Sequence, residues 1–443
     1  MKQFRTLLIL VVALGGLLAY LYFVDAERPL GETDDKPKVF SVEADQIEEL
    51  KVSTIAGGTA DLKKGAEGWQ LTSPVQVAAD DAEVSGITSN LASLTIQRVV
   101  DEKPTDLGAY GLREPVVEVG FKAKGDKEFR TLQLGNKSPT GSDMYAKRAG
   151  EQQVFLIFGY LESTFNRTPF DLRDKKILTF DREKVDRVEV THDGSTTTMV
   201  KAGGEWRMRA PIDARGDFGA IENLISRLQS LQMRAIVDEN ATDFSKYGLR
   251  SPATQVAVGA GSAQAALAVG SKAEEGLVYV RDLSRPMVFT VPNDLVDDLQ
   301  KGSGEYRRKD VFEFRTFNLD RIEITRDGAT TGFERQRGKG KDGADAWHNV
   351  TANKAVDAAK FEAFLGSLTG LRAESFADGK TPTGLDSPVL TVKATFDEGK
   401  KTDEARFGRV GDNVFAGRPD EPGAMKLDAT AFGEVLKQLG AVL

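Results

Sequence analysis

At 443 residues the chain is too long for one ordinary domain, and length alone predicts about three. Hydrophobic residues make up 40% and charged residues 28%, the balance of folded protein rather than of extensive disorder. A net charge of −8 supplies no basic face for nucleic acid or for broad docking on anionic lipid; the absence of cysteine excludes disulfides, thiolate metal sites, cysteine nucleophiles and a lipidated-cysteine anchor.

The first element is an uncharged apolar run from Thr6 to Val24. As a helix it is roughly 28 Å long, close to the thickness of a bilayer core. Lys2 and Arg5 precede it, while Asp25, Glu27, Glu32, Asp34 and Asp35 follow. This bias predicts a single-pass anchor in a bacterial inner membrane, with a cytoplasmic N-terminus and the bulk in the periplasm or extracytoplasmic space. Tyr20, Tyr22 and Phe23 fall where an interfacial aromatic belt is expected. A cleaved signal peptide ending at Val24-Asp25-Ala26 is the competing reading, against which the length of the run argues. Residues 25–38, with Pro29 and Pro37, read as a tether.

Three copies of one unit follow. Each opens on an alternating strand: Ile47 to Val52, Val185 to Val190 and Leu319 to Ile324. Each carries one tryptophan: Trp69, Trp206 and Trp347. Each then has an amphipathic helix, with the stripe Val84, Ile87, Leu91, Leu94 matching Ile221, Leu224, Leu228, Leu231 and Phe361, Phe364, Leu368, Leu371. Asp80, Asp217 and Asp357 stand where N-caps are expected. A turn comes next: Tyr110-Gly111-Leu112, Tyr247-Gly248-Leu249 and Thr383-Gly384-Leu385. The turn tyrosines are expected to pack over their own Gly-Leu turn rather than to stack on a ligand. Strand ends at Leu134-Gly135, Val269-Gly270 and Phe407-Gly408 follow, then a strand carrying Tyr145, Tyr279 or Phe415. An apolar strand and a short helix close each unit.

The predicted fold is therefore α+β: a transmembrane helix, then three tandem homologous modules with mostly antiparallel sheets. The expected boundaries are 1–24 for stub and anchor, 25–38 for the tether, then modules at 39–176, 177–310 and 311–443. Each module is expected to read ββ–α–several β–α and to bury its own core.

The anchor, the Trp with a proline shortly after it, the helix, the Tyr-Gly-Leu-x-x-Pro turn, the Leu-Gly strand end and the Arg173-Asp174-Lys175-Lys176 junction resemble the bacterial family termed domain of unknown function 4340. The third unit departs from the pattern: Thr383 replaces the tyrosine, and a Gly/Lys loop spans Arg337 to Gly343. The resemblance implies an extracytoplasmic companion of ABC-type transporters related to gliding-motility systems, with permease or accessory subunits as partners. It implies no catalytic residues.

The sequence holds two histidines. His192 precedes the hairpin dipeptide Asp193-Gly194 and reads as an exposed turn residue; His348 follows Trp347 and lacks metal-ligand spacing. No phosphate-binding Gly-x-x-x-x-Gly-Lys-Ser/Thr, Gly-x-Ser-x-Gly or His-Glu-x-x-His is present, and the pairs Asp80-Asp81 and Asp297-Asp298 read as caps and solvated faces. No catalytic, cofactor or metal residue is assigned. The junction cations Arg173, Lys175, Lys176, Arg307, Arg308 and Lys309 are candidates for fixing inter-module geometry or docking an acidic partner. The expected role is a non-enzymatic scaffold; the alternative is a periplasmic binding protein for cell-envelope glycan, lipid or exported polymer.

Overall fold

The computed structural model describes residues 36–55, 57–274, 276–339 and 345–443. The apolar run Thr6–Val24, most of the tether and residues 340–344 of the third-module loop lie outside them. Among the described residues no helix is long and apolar enough to cross a membrane. The chain divides into two compact units, one ending at Lys175 and one spanning Lys176–Leu443.

In the first unit β1 (Ile47–Thr54), β2 (Gly58–Gly65), β3 (Gly68–Ser73) and β4 (Val77–Ala78) form a meander. Helix α1 (Asp81–Ser93) crosses to β5 (Arg98–Asp101), and β6 (Val117–Ala123), β7 (Arg130–Lys137), β8 (Asp143–Arg148) and β9 (Val154–Phe158) form a second meander. Strand β6 pairs with β1 and β9 with β5, so the nine-stranded order is β4-β3-β2-β1-β6-β7-β8-β9-β5, antiparallel at every step. Two further nine-stranded sheets in the second unit repeat this order strand for strand. There are thus four strands before each helix, where the sequence pattern suggested two; the extra ones include two-residue edges too short to show a period.

Cross-strand register shows how closely the copies agree. Leu71, Leu62, Leu50 and Phe121 lie side by side across the first sheet. Met208, Met199, Val188 and Val258 occupy the same row in the second, and Asn349, Phe333, Ile322 and Ala394 in the third. All twelve are buried. Asn349 is tolerated there because its amide oxygen accepts the Ala352 amide at 2.8 Å.

The crossover helix covers this face. Val84, Ile87, Leu91 and Leu94 are buried, as are their counterparts in the other two modules. Asp80, Asp217 and Asp357 each accept backbone amides of the first turn, satisfying donors that the helix leaves free. Trp69, Trp206 and Trp347 are all buried. Trp206 Nε1 donates to Glu222 at 2.9 Å, whereas Trp347 packs on Phe361 with ring centroids 4.8 Å apart.

Candidate functional site: the charged seam between the second and third modules

Three layers of contact lead from the repeat pattern to this seam. The first is the turn. Gly111, Gly248 and Gly384 all adopt a left-handed conformation, with φ of 69°, 70° and 70°, where a side chain is strained. Each turn lies directly on the strand that bears the next glycine of the repeat. A Cβ on Gly135 would sit 2.1 Å from the Tyr110 carbonyl oxygen, one on Gly270 2.1 Å from that of Tyr247, and one on Gly408 2.2 Å from that of Thr383. The two glycine signals are one joint. The Tyr110 ring meets Tyr145 at 5.0 Å and its hydroxyl donates to Asp101 at 3.3 Å. Tyr247 repeats this with Tyr279 at 5.1 Å and Asp238 at 3.1 Å. In the third module Asp378 keeps the backbone turn, accepting the Lys380 amide at 3.2 Å. The stretch from Asp378 to Thr383 is shorter than from Asp238 to Tyr247, and threonine cannot span what a tyrosine does.

The second layer is an arginine clasp. Arg148 Nε donates to the Val39 carbonyl at 2.7 Å, holding the segment that leads into the first sheet. Arg285 does so for Ile177 at 2.5 Å, and Arg418 for Val311 at 2.9 Å. Each arginine has a carboxylate three residues away: Glu151, Asp282 and Glu421. In the second module the order of charges is reversed, Asp282 preceding Arg285, and the bond to the lead-in carbonyl is kept.

The third layer joins modules two and three. Glu421 is buried and accepts Arg215 Nε on one oxygen and Arg307 Nη2 at 3.4 Å on the other. Arg307 also donates to the Pro422 carbonyl at 2.9 Å, and its guanidinium lies 4.2 Å from the centre of the Phe376 ring. Arg215 reaches the Asp310 carbonyl at 3.0 Å and Glu313 at 3.5 Å. Arg418, itself buried, pairs with the buried Asp403 and with Asp420 at 3.1 Å. Asp403 in turn accepts the Glu313 amide at 2.6 Å.

Burial pulls the Arg307 guanidinium below its ordinary value despite Glu421, whereas for Arg418 the same burial is outweighed by Asp403 and Asp420. Such a network is worth little as net stability, yet removing one member leaves an uncompensated buried charge. Its members come from both modules and from the segment that joins them. A cleft of about 270 Å³ borders it, lined by Arg307 and Phe376 with Ser303, Glu305 and Glu374.

The junction cations are placed differently. Arg307 is in the seam. Arg308 pairs with Asp310 at 3.6 Å and Lys309 with Glu305 at 2.9 Å. Arg173 is buried, its backbone bridging to Ala79 as that of Arg307 bridges to Gly216. Lys175 reaches the Asp171 carbonyl at 2.7 Å, and exposed Lys176 bridges through its backbone to Gln232. His192 ends a strand, half-buried, with Nδ1 2.8 Å from the Thr254 hydroxyl; His348 Nε2 is 3.1 Å from Asn353. Asp193 and Gly194 form the expected left-handed hairpin, with φ of 46° and 77°. Among the described residues no three His, Cys, Asp or Glu side chains converge as a metal site. A cleft of about 480 Å³ in the second module is lined by Arg227, Asp298 and Tyr306, and Arg227 is already paired with Asp294 at 2.7 Å and with Asp298.

A family profile described as "Domain of unknown function (DUF4340)" matches residues 69–205 and 206–388, well over half of the chain. The chain belongs to the DUF4340 family. Both matches begin at a module tryptophan, inside the third strand of a sheet, so the DUF4340 frame is shifted from the sheet frame. The second match ends at Pro388, the proline of the third turn, and so takes in the joint where that module departs from its siblings. Neither the curated proteins nor the solved structures yield a match.

Arg215, Glu421, Arg418 and Asp403 were not singled out by the DUF4340 landmarks. Arg215 and Glu421 are 206 residues apart in sequence. The available signal was the opposite-charge pair at a spacing of three, repeated at Arg148, Asp282 and Arg418.

Proposed function

We propose that this DUF4340 chain is a non-enzymatic scaffold or auxiliary subunit of an ABC-type transport system. Residues 6–24 anchor it in the inner membrane and hold its modules on the extracytoplasmic side. The observation that supports this most directly is the Arg215–Glu421–Arg307 cluster, buried chemistry spent on fixing how two modules meet. A scaffold needs fixed distances between its contact faces; an enzyme needs convergent reactive groups in a cleft. The apolar run with its flanking charges supports the anchor, and the family resemblance supports the transporter as partner.

The test is purification of the full chain in gentle detergent with identification of what accompanies it. ABC permease subunits that are lost when residues 177–443 are deleted support the proposal. A free monomer, with permeases present in the same membranes, argues against it.

A further inference from the structure

Phe158 and Tyr160 stand out on the first unit. They are 43% and 66% exposed and their rings stack on one another, with centroids 5.6 Å apart. The corresponding positions of the second module are Pro292 and Asp294, so the pair is not part of the repeat. A stacked aromatic pair left in water has a cost that a partner surface removes.

Three cations border it. Lys36 lies 5.9 Å over the Phe158 ring and donates to Gln97 at 2.6 Å. Lys38 bridges to Thr95, and Arg98 lies opposite Leu156, which places it on the same sheet face as Phe158. Lys36, Lys38 and Arg98 are exposed. Acids near it among the described residues include Asp143, opposite Phe158 in the sheet, and Glu162, which is paired with Lys137 at 2.7 Å; Asp34 and Asp35 precede Lys36 in the sequence.

The decisive point is where the chain comes from. Lys36, in contact with Phe158, is the residue through which the chain enters the described structure. The apolar run ends at Val24, and the eleven residues between can span at most about 40 Å. A ring pair with a phenolic tip, bordered by cations and tied this close to a membrane segment, has the chemistry of a bilayer interface. We infer that Phe158, Tyr160, Lys36, Lys38 and Arg98 form a contact with the phospholipid surface, seating the first module on the bilayer that its anchor enters. The inference rests on the anchor reading of residues 6–24.

The absence of cysteine makes the test clean. The full chain, with Thr140→Cys, next in sequence to Gly141 whose carbonyl faces Gly159, or with the control Asp412→Cys, is labelled with an environment-sensitive fluorophore. It is then reconstituted in vesicles containing phosphatidylglycerol and lipids brominated near the headgroup. Quenching at 140 several-fold above that at 412, lost in both Tyr160→Ser and Lys36→Glu, is the expected result. Equal quenching at the two positions overturns the inference, as does quenching that survives both substitutions. Tyr160-dependent sedimentation with isolated peptidoglycan, without lipid quenching at 140, also overturns it. Resistance of the chain to alkaline carbonate extraction tests the anchor separately, so failure of the anchor and failure of the contact are distinguishable.

Discussion

Gly135 lies so close to the Tyr110 carbonyl that a single added carbon would stand 2.1 Å from that oxygen. The nearest obstacle is backbone, which cannot rotate aside, with the Leu112 side chain behind it at 3.0 Å. Gly135→Ala should therefore cost about 2–4 kcal/mol, in the range of overpacked or strained core sites. Urea unfolding followed through Trp69, with Trp206 and Trp347 replaced by Phe, reads the change. Gly125→Ala, where no atom lies within 4 Å of the added Cβ but φ is 90°, isolates the cost of conformation alone. Equal losses at the two sites would mean that the close approach carries no weight.

Tyr306 gives the second unit a sensitivity to alkali. Burial, with Asp298 and Glu305 nearby, pushes its hydroxyl up to about 12. A value raised above that of the unfolded chain contributes stability below about 10 that is lost as pH rises through about 12. Stability of the second module should fall across that interval, and Tyr306→Phe should flatten the fall. An unchanged alkaline slope in the variant would contradict this.

Acid should act through Glu222 and Asp420. Burial raises the Glu222 carboxyl, but hydrogen bonds from Trp206 and Lys201 outweigh it and hold it low. At Asp420 burial is likewise outweighed by Arg418. Depressed carboxylates contribute stability above their unfolded pKa, near 4, which is lost as pH falls below it. Urea midpoints read at Trp206 should drop between about pH 5 and about pH 3, and less steeply in Glu222→Gln. A parallel drop in the variant would exclude Glu222 as a source.

The lead-in clasp makes a local prediction. Arg148→Ala removes charge-assisted bonds to Val39 and Glu151 and should cost about 1.5–3 kcal/mol in the Trp69 transition. Arg148→Lys should rescue little, because lysine lacks the planar fork that presents Nε to Val39 and Nη1 to Glu151 at separate points. Full rescue by lysine would reduce the clasp to simple charge.

Much of the module was legible because its signals are local. Asp80 four residues before Val84 marks a helix start, and Asp193-Gly194 marks a hairpin, through nothing beyond neighbouring backbone. The glycines at 111 and 135 were both visible in sequence, but not that they touch, since the pairing of distant segments has no local period. The seam was hidden for the same reason. Arg307 stands in the sequence among the junction cations that could fix inter-module geometry, but its partner does not show there: the loop bearing Glu421, over a hundred residues away, covers it to 3% exposure.

The relation of modules two and three can be measured most directly by watching each unfold alone. In single-tryptophan variants that retain Trp206 or Trp347, urea transitions should coincide in the otherwise unaltered chain. Glu421→Ala strands Arg215 and Arg307 and should cost about 3–5 kcal/mol, separating the two midpoints. Midpoints already separate before Glu421 is changed, or still coincident and unshifted afterwards, would contradict a seam that locks the modules together.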